Sequence, residues 1–110
     1  MKPQMFETKI WIGEVDPVVL KEFFDNALFQ SGFTILRYSD YLFVPDRKDY
    51  AEGWTALWLL GESHFAIHTF PICELNDSNT SYIYLASCVE EYYHNFVHFL
   101  HEHKDEIKLS

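Results

Sequence analysis

The apolar residues of this chain recur with two different periods, and the order of these periods limits the fold more than any other feature. A helix is predicted from Asp16 and Pro17, an N-cap followed by proline at the first helical position, to Gly32. Its apolar residues return at helical spacing: Leu20, Phe23, Phe24, Ala27 and Leu28. A second helix is predicted from Val89 to about His103, with Tyr93, Phe96, Val97 and Leu100 on one face.

The remaining apolar segments alternate or run continuously, which predicts strands at residues 9–12, 33–38, 41–44, 54–60, 64–70 and 80–88. Turns are expected at Ser39-Asp40 and at residues 74–79, and a charged loop at residues 45–53. Helices and strands do not alternate, so we predict an α+β fold, a two-layer α/β sandwich with a mainly antiparallel sheet and two main helices. Residues 1–110 are expected to form a single domain, in which the first few residues and the polar tail 104–110 are not committed to a helix or strand.

Composition excludes several classes of protein. A net charge of −9 argues against binding to a nucleic-acid backbone. No apolar run is long enough for a membrane span, and the first residues lack the apolar core of a signal peptide. Cys73 and Cys88 form neither a metal-type pair nor a disulfide framework, which favours a cytoplasmic protein.

The candidate catalytic residues are concentrated in residues 53–71, GWTALWLLGESHFAIHTFP. A serine and two histidines follow a long apolar strand. Ser63 and His68 are an odd number of positions apart, so an ideal strand places them on opposite faces. They converge only if the chain turns sharply at residues 61–63. From the residues alone, structural roles for this serine and these histidines are the more common outcome.

Residues 62–71, ESHFAIHTFP, resemble the processing-site signature of bacterial and archaeal S-adenosylmethionine decarboxylases. That signature reads Glu-Ser-His, two apolar or small residues, Ile-His-Thr, an aromatic residue and Pro. Phe43-Val44-Pro45 and Gly53-Trp54-Thr55 resemble the family's Phe-x-Pro and Gly-x-Thr elements. Residues 85–88 (LASC) resemble the end of the strand that carries the family's catalytic cysteine. The similarity extends over about residues 9–100.

The resemblance implies self-cleavage between Glu62 and Ser63. The Ser63 hydroxyl attacks the Glu62 carbonyl, and elimination and hydrolysis then leave a covalent pyruvoyl cofactor at the new N-terminus. That group forms a Schiff base with a substrate amine and accepts electrons as carbon dioxide leaves. By resemblance His68 assists processing and Cys88 reprotonates the substrate, a role that suits a thiol because it is mostly protonated at neutral pH.

The resemblance also implies substrate contacts. Phe70 occupies the place of an aromatic residue that stacks on adenine, and Phe43 is expected in the same site. The family's next residue is a glutamate that binds ribose hydroxyls; here it is Ile72, and Glu74 is a candidate substitute. The first strand, with residues 11–14 (WIGE), also lacks the family's acid followed by Tyr-Gly.

Three functions therefore remain open. The first is decarboxylation of S-adenosylmethionine, which supplies aminopropyl groups for spermidine synthesis. The second is a pyruvoyl decarboxylase of arginine or ornithine, and the third a relative that does not process itself and acts as a binding or regulatory subunit. A homodimer is expected because the aromatic content exceeds what a small core hides. His94, His98 and His101 share one stripe of the last helix, but nothing completes a metal site there, and no metal is expected.

Overall fold

The computed structural model of the chain describes residues 1–44 and 52–109. Most of the predicted charged loop 45–53, including Pro45 of the Phe-x-Pro element, lies outside the described residues. The elements are β1 (Phe6–Ile12), α1 (Pro17–Ser31), β2 (Ile35–Leu42), β3 (Trp54–Leu60), β4 (Ser63–Phe70), β5 (Thr80–Ser87), α2 (Glu90–Glu102) and α3 (Lys104–Ile107).

The five strands form one sheet in the order β1-β5-β4-β3-β2. All four neighbouring pairs are antiparallel. β4 is therefore the central strand, bonded to β3 through a short hairpin and to β5 over its whole length. The two long helices cover one face of this sheet, so the predicted α+β sandwich with an antiparallel sheet is confirmed.

Both ends of α1 follow from its local sequence. The Asp16 carboxylate accepts a hydrogen bond of 2.9 Å from the backbone N–H of Val18, and Pro17 opens the helix. At the other end Gly32 has φ of 109°, a left-handed conformation that side chains rarely adopt. A Cβ on Gly32 would also lie 2.8 Å from the ring of Tyr92 on α2. This glycine thus ends α1 and lets the two helices approach each other.

The core lies between the helices and one face of the sheet. Phe65 on the central strand is fully buried, with its ring centroid 4.7 Å from that of Phe24 on α1 and 5.4 Å from that of Phe96 on α2. Trp58 is also fully buried and stacks on Tyr38 at 4.7 Å. Its indole N–H donates to the Asp25 carboxylate at 2.8 Å, which satisfies the one polar atom of a large buried ring.

Within residues 1–44 and 52–109, no helix covers the opposite side of the sheet, which we call the open face. Its side chains are those of alternate strand positions that point away from α1 and α2. Several of them are large and apolar yet about half exposed: Trp11, Tyr41, Leu57, Leu59 and Phe70. A sheet face that is exposed to solvent normally carries polar residues, so this composition indicates a surface that binds a ligand or another protein chain.

Two local predictions were wrong. Ser39-Asp40 is not a turn, because β2 runs unbroken from Ile35 to Leu42. The Asp40 carboxylate accepts hydrogen bonds from the hydroxyl of Tyr38 on the same strand at 2.7 Å and from the indole of Trp54 on β3 at 3.1 Å. These two donors satisfy a residue that usually favours turns.

The C-terminal tail is also part of the fold. α3 buries Ile107 completely, Gly13 N–H donates to the Lys108 carbonyl at 2.9 Å, and Leu109 forms a bridge with Ile12. Ile107 and Leu109 are two isolated apolar residues in an otherwise polar segment, so the sequence pattern did not indicate these contacts. No helix among residues 1–44 and 52–109 is long and apolar enough to cross a membrane.

Candidate functional site

Ser63 is the first residue of β4, immediately after the tight connection Gly61-Glu62 from β3. The Gly61 N–H donates to the Thr34 carbonyl at 3.0 Å, which fixes the start of this connection. Ser63 then pairs with Ser87 in regular antiparallel register. The Glu62–Ser63 peptide bond is therefore held at one end of the central strand, beside the end of β5.

Cys88 follows β5 and lies against the Glu62 carbonyl. Its thiol donates to the Glu62 oxygen at 3.0 Å, and its backbone N–H approaches the same oxygen at 3.5 Å. Two donors on one carbonyl oxygen draw electron density from the carbonyl carbon and stabilise negative charge on the oxygen. The arrangement favours attack by a nucleophile at Glu62.

The Ser63 hydroxyl belongs to the residue that directly follows the Glu62 carbonyl. Its Oγ is buried and has no hydrogen-bond partner in the described part of the chain. Its cross-strand neighbour Ser87 is occupied, since the Ser87 hydroxyl accepts from the Val89 N–H at 3.0 Å and donates to the Val89 carbonyl at 3.1 Å. Buried hydroxyls are nearly always bonded, so a free one adjoining a polarised carbonyl calls for a chemical explanation.

His68 does not join this group. The register of β4 is regular, so Ser63 shares the helix-facing side with Phe65 while His68 points to the open face. Five strand positions separate the two residues by about 17 Å. The exposed ring of His68 has Nδ1 3.2 Å from the Thr55 hydroxyl on β3. The connection from β3 consists of Gly61 and Glu62 alone, and β4 starts at Ser63, so no turn brings the Ser63 and His68 side chains together.

A second group of predicted residues meets at the far end of β4. Phe43, His68 and Phe70 line a cleft of about 900 Å³, which we call the aromatic cleft. Its other walls include Trp11 and Tyr41, and the Trp11 and Phe70 ring centroids are 6.0 Å apart. Rings at these positions can hold a flat aromatic ligand. The volume is in the range typical of small-molecule sites.

Glu74 lies outside this cleft. It is exposed and is absent from the lining residues, whereas its loop neighbours Cys73, Leu75 and Asn76 line the wall. Among the described residues that line the cleft there is no Asp or Glu. The substitute for the family's acid expected from the sequence is therefore not one of the lining residues.

The histidines of α2 belong to neither group. His94 and His98 each face an acid one helical turn away, Glu90 and Glu102, with side chains 64% and 75% exposed. Within residues 1–44 and 52–109, no three His, Cys, Asp or Glu side chains come together in a metal-binding arrangement. These pairs fit a solvated helix surface.

The family model described as S-adenosylmethionine decarboxylase matches residues 15–103, which include both groups of residues. The chain belongs to the S-adenosylmethionine decarboxylase family. No curated protein sequence matches the chain. Membership supports a role like that of an S-adenosylmethionine decarboxylase, which is a carboxy-lyase with a small-molecule substrate. Enzymes of this family in general depend on a pyruvoyl group.

For a member of this family, the predicted site residues fall into two separate groups. Ser63 and Cys88 meet at Glu62, whereas Phe43, His68 and Phe70 meet in the aromatic cleft. Seven strand positions, or about 23 Å, separate Ser63 from Phe70 along β4. One chain by itself therefore does not bring the cleavage site and the cleft into contact.

Sequence reasoning missed several cleft residues of this S-adenosylmethionine decarboxylase relative: Trp11, Tyr41, Thr55 and Asn76. Trp11 reaches the cleft because β1 pairs with β5, where Trp11 lies opposite Tyr82. The spacing of apolar residues does not reveal the order of strands in a sheet, so the position of Trp11 beside β5 was not predictable. Asn76 lay in a predicted turn, and turn asparagines are common enough to attract no notice.

Proposed function

We propose that this chain is a proenzyme that cleaves itself between Glu62 and Ser63 and becomes a pyruvoyl-dependent decarboxylase of S-adenosylmethionine. The observation that carries the proposal is the Glu62 carbonyl: it accepts from the Cys88 thiol at 3.0 Å and adjoins the unpaired, buried Ser63 hydroxyl. A structural serine in this setting would be expected to have a partner.

Cleavage begins when Ser63 Oγ bonds to the Glu62 carbonyl carbon, with the developing negative charge on the oxygen held by Cys88. The bond from that carbon to the Ser63 nitrogen then breaks, and the hydroxyl proton passes to the nitrogen, which leaves an ester. Loss of the Ser63 α-proton and breakage of the Cβ–Oγ bond release residues 1–62 as a carboxylate. Water then replaces the amino group of residue 63, ammonia leaves, and a pyruvoyl group remains on residues 63–110.

The residues present fit that group, since Ser63 is at a strand end beside an exposed thiol. A pyruvoyl group supplies a carbonyl that condenses with a substrate amine and withdraws electrons while carbon dioxide leaves. Cys88 is already within hydrogen-bond distance of the position next to residue 63. We propose that its thiol donates the proton that replaces the lost carboxylate.

The aromatic cleft supports S-adenosylmethionine over a basic amino acid. Phe70 and Phe43 offer faces for an adenine ring, and a base stacked on an aromatic side chain gains roughly 1–3 kcal/mol. Arginine and ornithine have no nucleobase to stack on these rings. The decarboxylated product would then serve as an aminopropyl donor for spermidine synthesis.

We further propose a homodimer of two copies of one domain, residues 1–110, joined through the open face. If the two-fold axis runs across the strands, the cleft end of one protomer lies over the Ser63 end of the other, and the site forms twice. The exposed Trp11, Leu57, Leu59 and Phe70 supply the apolar area for such an interface. Within one chain about 17 Å of strand separates His68 from Ser63, so a role for His68 in processing needs the His68 of the other protomer.

A mixing experiment tests the shared site. Ser63→Ala and His68→Ala chains are each expected to stay intact when expressed alone. In co-expressed heterodimers the Ser63→Ala chain supplies His68, so the His68→Ala chain should be cut. If the His68→Ala chain is cleaved when expressed alone, or stays intact in heterodimers isolated by two affinity tags, His68 does not act across the dimer.

Release of labelled carbon dioxide tests the reaction. Cleaved protein should decarboxylate S-adenosylmethionine and leave ornithine, arginine and lysine unchanged, with Ser63→Ala as the inactive control. Turnover of a basic amino acid and not of S-adenosylmethionine would replace the proposed substrate. A stable full-length chain that binds a nucleoside without decarboxylation would favour a binding or regulatory relative.

A further inference from the structure

Asn76 occupies the loop between β4 and β5 and lines the aromatic cleft. Its side-chain nitrogen lies within hydrogen-bond distance of three backbone carbonyls: those of Phe70 at 2.6 Å, Pro71 at 3.2 Å and Ser78 at 2.7 Å. One amide group thus ties the end of β4 to the far side of the loop. The Asn76 backbone also exchanges hydrogen bonds with Cys73, at 2.9 and 3.2 Å.

These contacts fix which way the amide faces. An oxygen turned toward three carbonyl oxygens would meet only repulsion, so the NH₂ group must occupy that side. The Asn76 Oδ1 atom consequently points away from the loop carbonyls. It is a hydrogen-bond acceptor that the loop holds in one orientation before any ligand arrives, which lowers the entropic cost of binding.

Several other polar side chains of the cleft are already engaged. Thr69 Oγ1 accepts from the Trp54 N–H at 2.8 Å, Thr80 Oγ1 donates to the Ile12 carbonyl at 3.4 Å, and Thr55 is paired with His68. Asn76 differs because its NH₂ group donates to loop carbonyls, whereas its Oδ1 atom accepts no hydrogen bond within the described part of the chain. An oriented acceptor beside aromatic walls matches a ligand that carries hydroxyl groups next to a flat ring.

We propose that Asn76 is the specificity-determining residue of the aromatic cleft, and that its Oδ1 accepts a hydrogen bond from a hydroxyl of a nucleoside sugar. The inference deepens the proposed function and rests on it for the substrate class. It assigns hydroxyl recognition to Asn76 and not to Glu74, whose exposed side chain lies outside the cleft.

Binding to the uncleaved Ser63→Ala protein tests this inference separately from self-cleavage and decarboxylation. The probes are adenosine and 2′,3′-dideoxyadenosine, which differ in the sugar hydroxyls alone. Trp11 and Trp54 line the cleft, so tryptophan fluorescence reports occupancy. Adenosine should bind about three- to ten-fold more tightly than the dideoxy compound, as one net hydrogen bond provides.

The added change Asn76→Ala should reduce this ratio to about one, because the acceptor is gone. Asn79→Ala is the matched control: Asn79 Oδ1 accepts from the Ile72 N–H at 2.8 Å in the same loop, but Asn79 does not line the cleft. It should loosen the loop and keep the ratio. An unchanged ratio in Asn76→Ala would overturn the proposal, and so would equal loss of the ratio in both variants.

A measurement without loop variants guards against misfolding of Asn76→Ala. In ¹⁵N-edited spectra, adenosine should shift the Asn76 side-chain amide resonances, and 2′,3′-dideoxyadenosine should leave them near their free positions. Equal shifts with both nucleosides, or absence of binding by either, would refute the role of Asn76. Self-cleavage is tested separately, by the mass of the Ser63-containing protein, and its outcome does not depend on Asn76.

Discussion

Replacing Cys88 by alanine should slow self-cleavage without preventing it. The change removes the thiol that donates to the Glu62 oxygen at 3.0 Å and leaves the backbone N–H of residue 88 at 3.5 Å. Removing a strong donor from an oxyanion site costs roughly 10²–10³ in rate, but a thiol is a weak donor. We therefore expect a barrier higher by about 1–2 kcal/mol, or roughly five- to thirty-fold slower cleavage.

The assay follows the full-length band after pulse labelling in a cell-free translation system, so that cleavage is timed from synthesis. Cys73→Ala is the matched control, because Cys73 lies in the aromatic cleft and away from Glu62. It should cleave at the rate of the unmodified chain. If Cys88→Ala also cleaves at that rate, the thiol does not polarise the scissile carbonyl.

Three further predictions concern the scaffold and use the Ser63→Ala chain to keep the protein in one piece. Trp58→Phe removes the indole hydrogen bond to Asp25 and part of a fully buried ring, and should lower the free energy of unfolding in urea by about 1–3 kcal/mol. Gly32→Ala forces a side chain into φ of 109° and against Tyr92, so a loss of about 1–3 kcal/mol is expected, whereas Gly61→Ala, with no atom nearer than 3.9 Å to its Cβ, should cost less. Burial and the hydrogen bond to Asp40 raise the pKa of Tyr38 above its ordinary value. The contribution of Tyr38 to the free energy of unfolding should therefore be fully present below about pH 10 and decrease at higher pH. Tyr38→Phe should flatten that alkaline decline in thermal melts, and an equally steep decline in the variant would contradict the assignment.

The fold was largely predictable because its elements follow strict periods and clear end signals. Asp16, Pro17 and Gly32 bound α1, and the alternation of Phe65, Ile67 and Thr69 marks the buried side of β4. The straight run of β2 through Ser39-Asp40 was not predictable, since it depends on indole and phenol donors from neighbouring residues. The docking of Ile107 likewise depends on tertiary contacts that no period records.

The candidate site was predictable in its residues more than in its geometry. The Glu-Ser-His motif indicated the family, and strand parity already separated Ser63 from His68. What the sequence could not provide is the contact between Cys88 and Glu62, because it requires β5 to lie beside β4. The role proposed here for Asn76 depends in turn on three carbonyls that the folded loop brings around one amide.

Self-cleavage is the central claim, and the intact mass of the purified protein tests it most directly. The unmodified chain should separate under denaturing conditions into residues 1–62 and residues 63–110, the latter starting with a pyruvoyl group in place of serine. Borodeuteride should then raise the mass of the second fragment, because reduction of its ketone to an alcohol leaves one deuterium on carbon. Ser63→Ala should remain a single chain near 13.1 kDa. A wild-type protein that stays at the full-length mass after prolonged incubation would contradict the proposed chemistry.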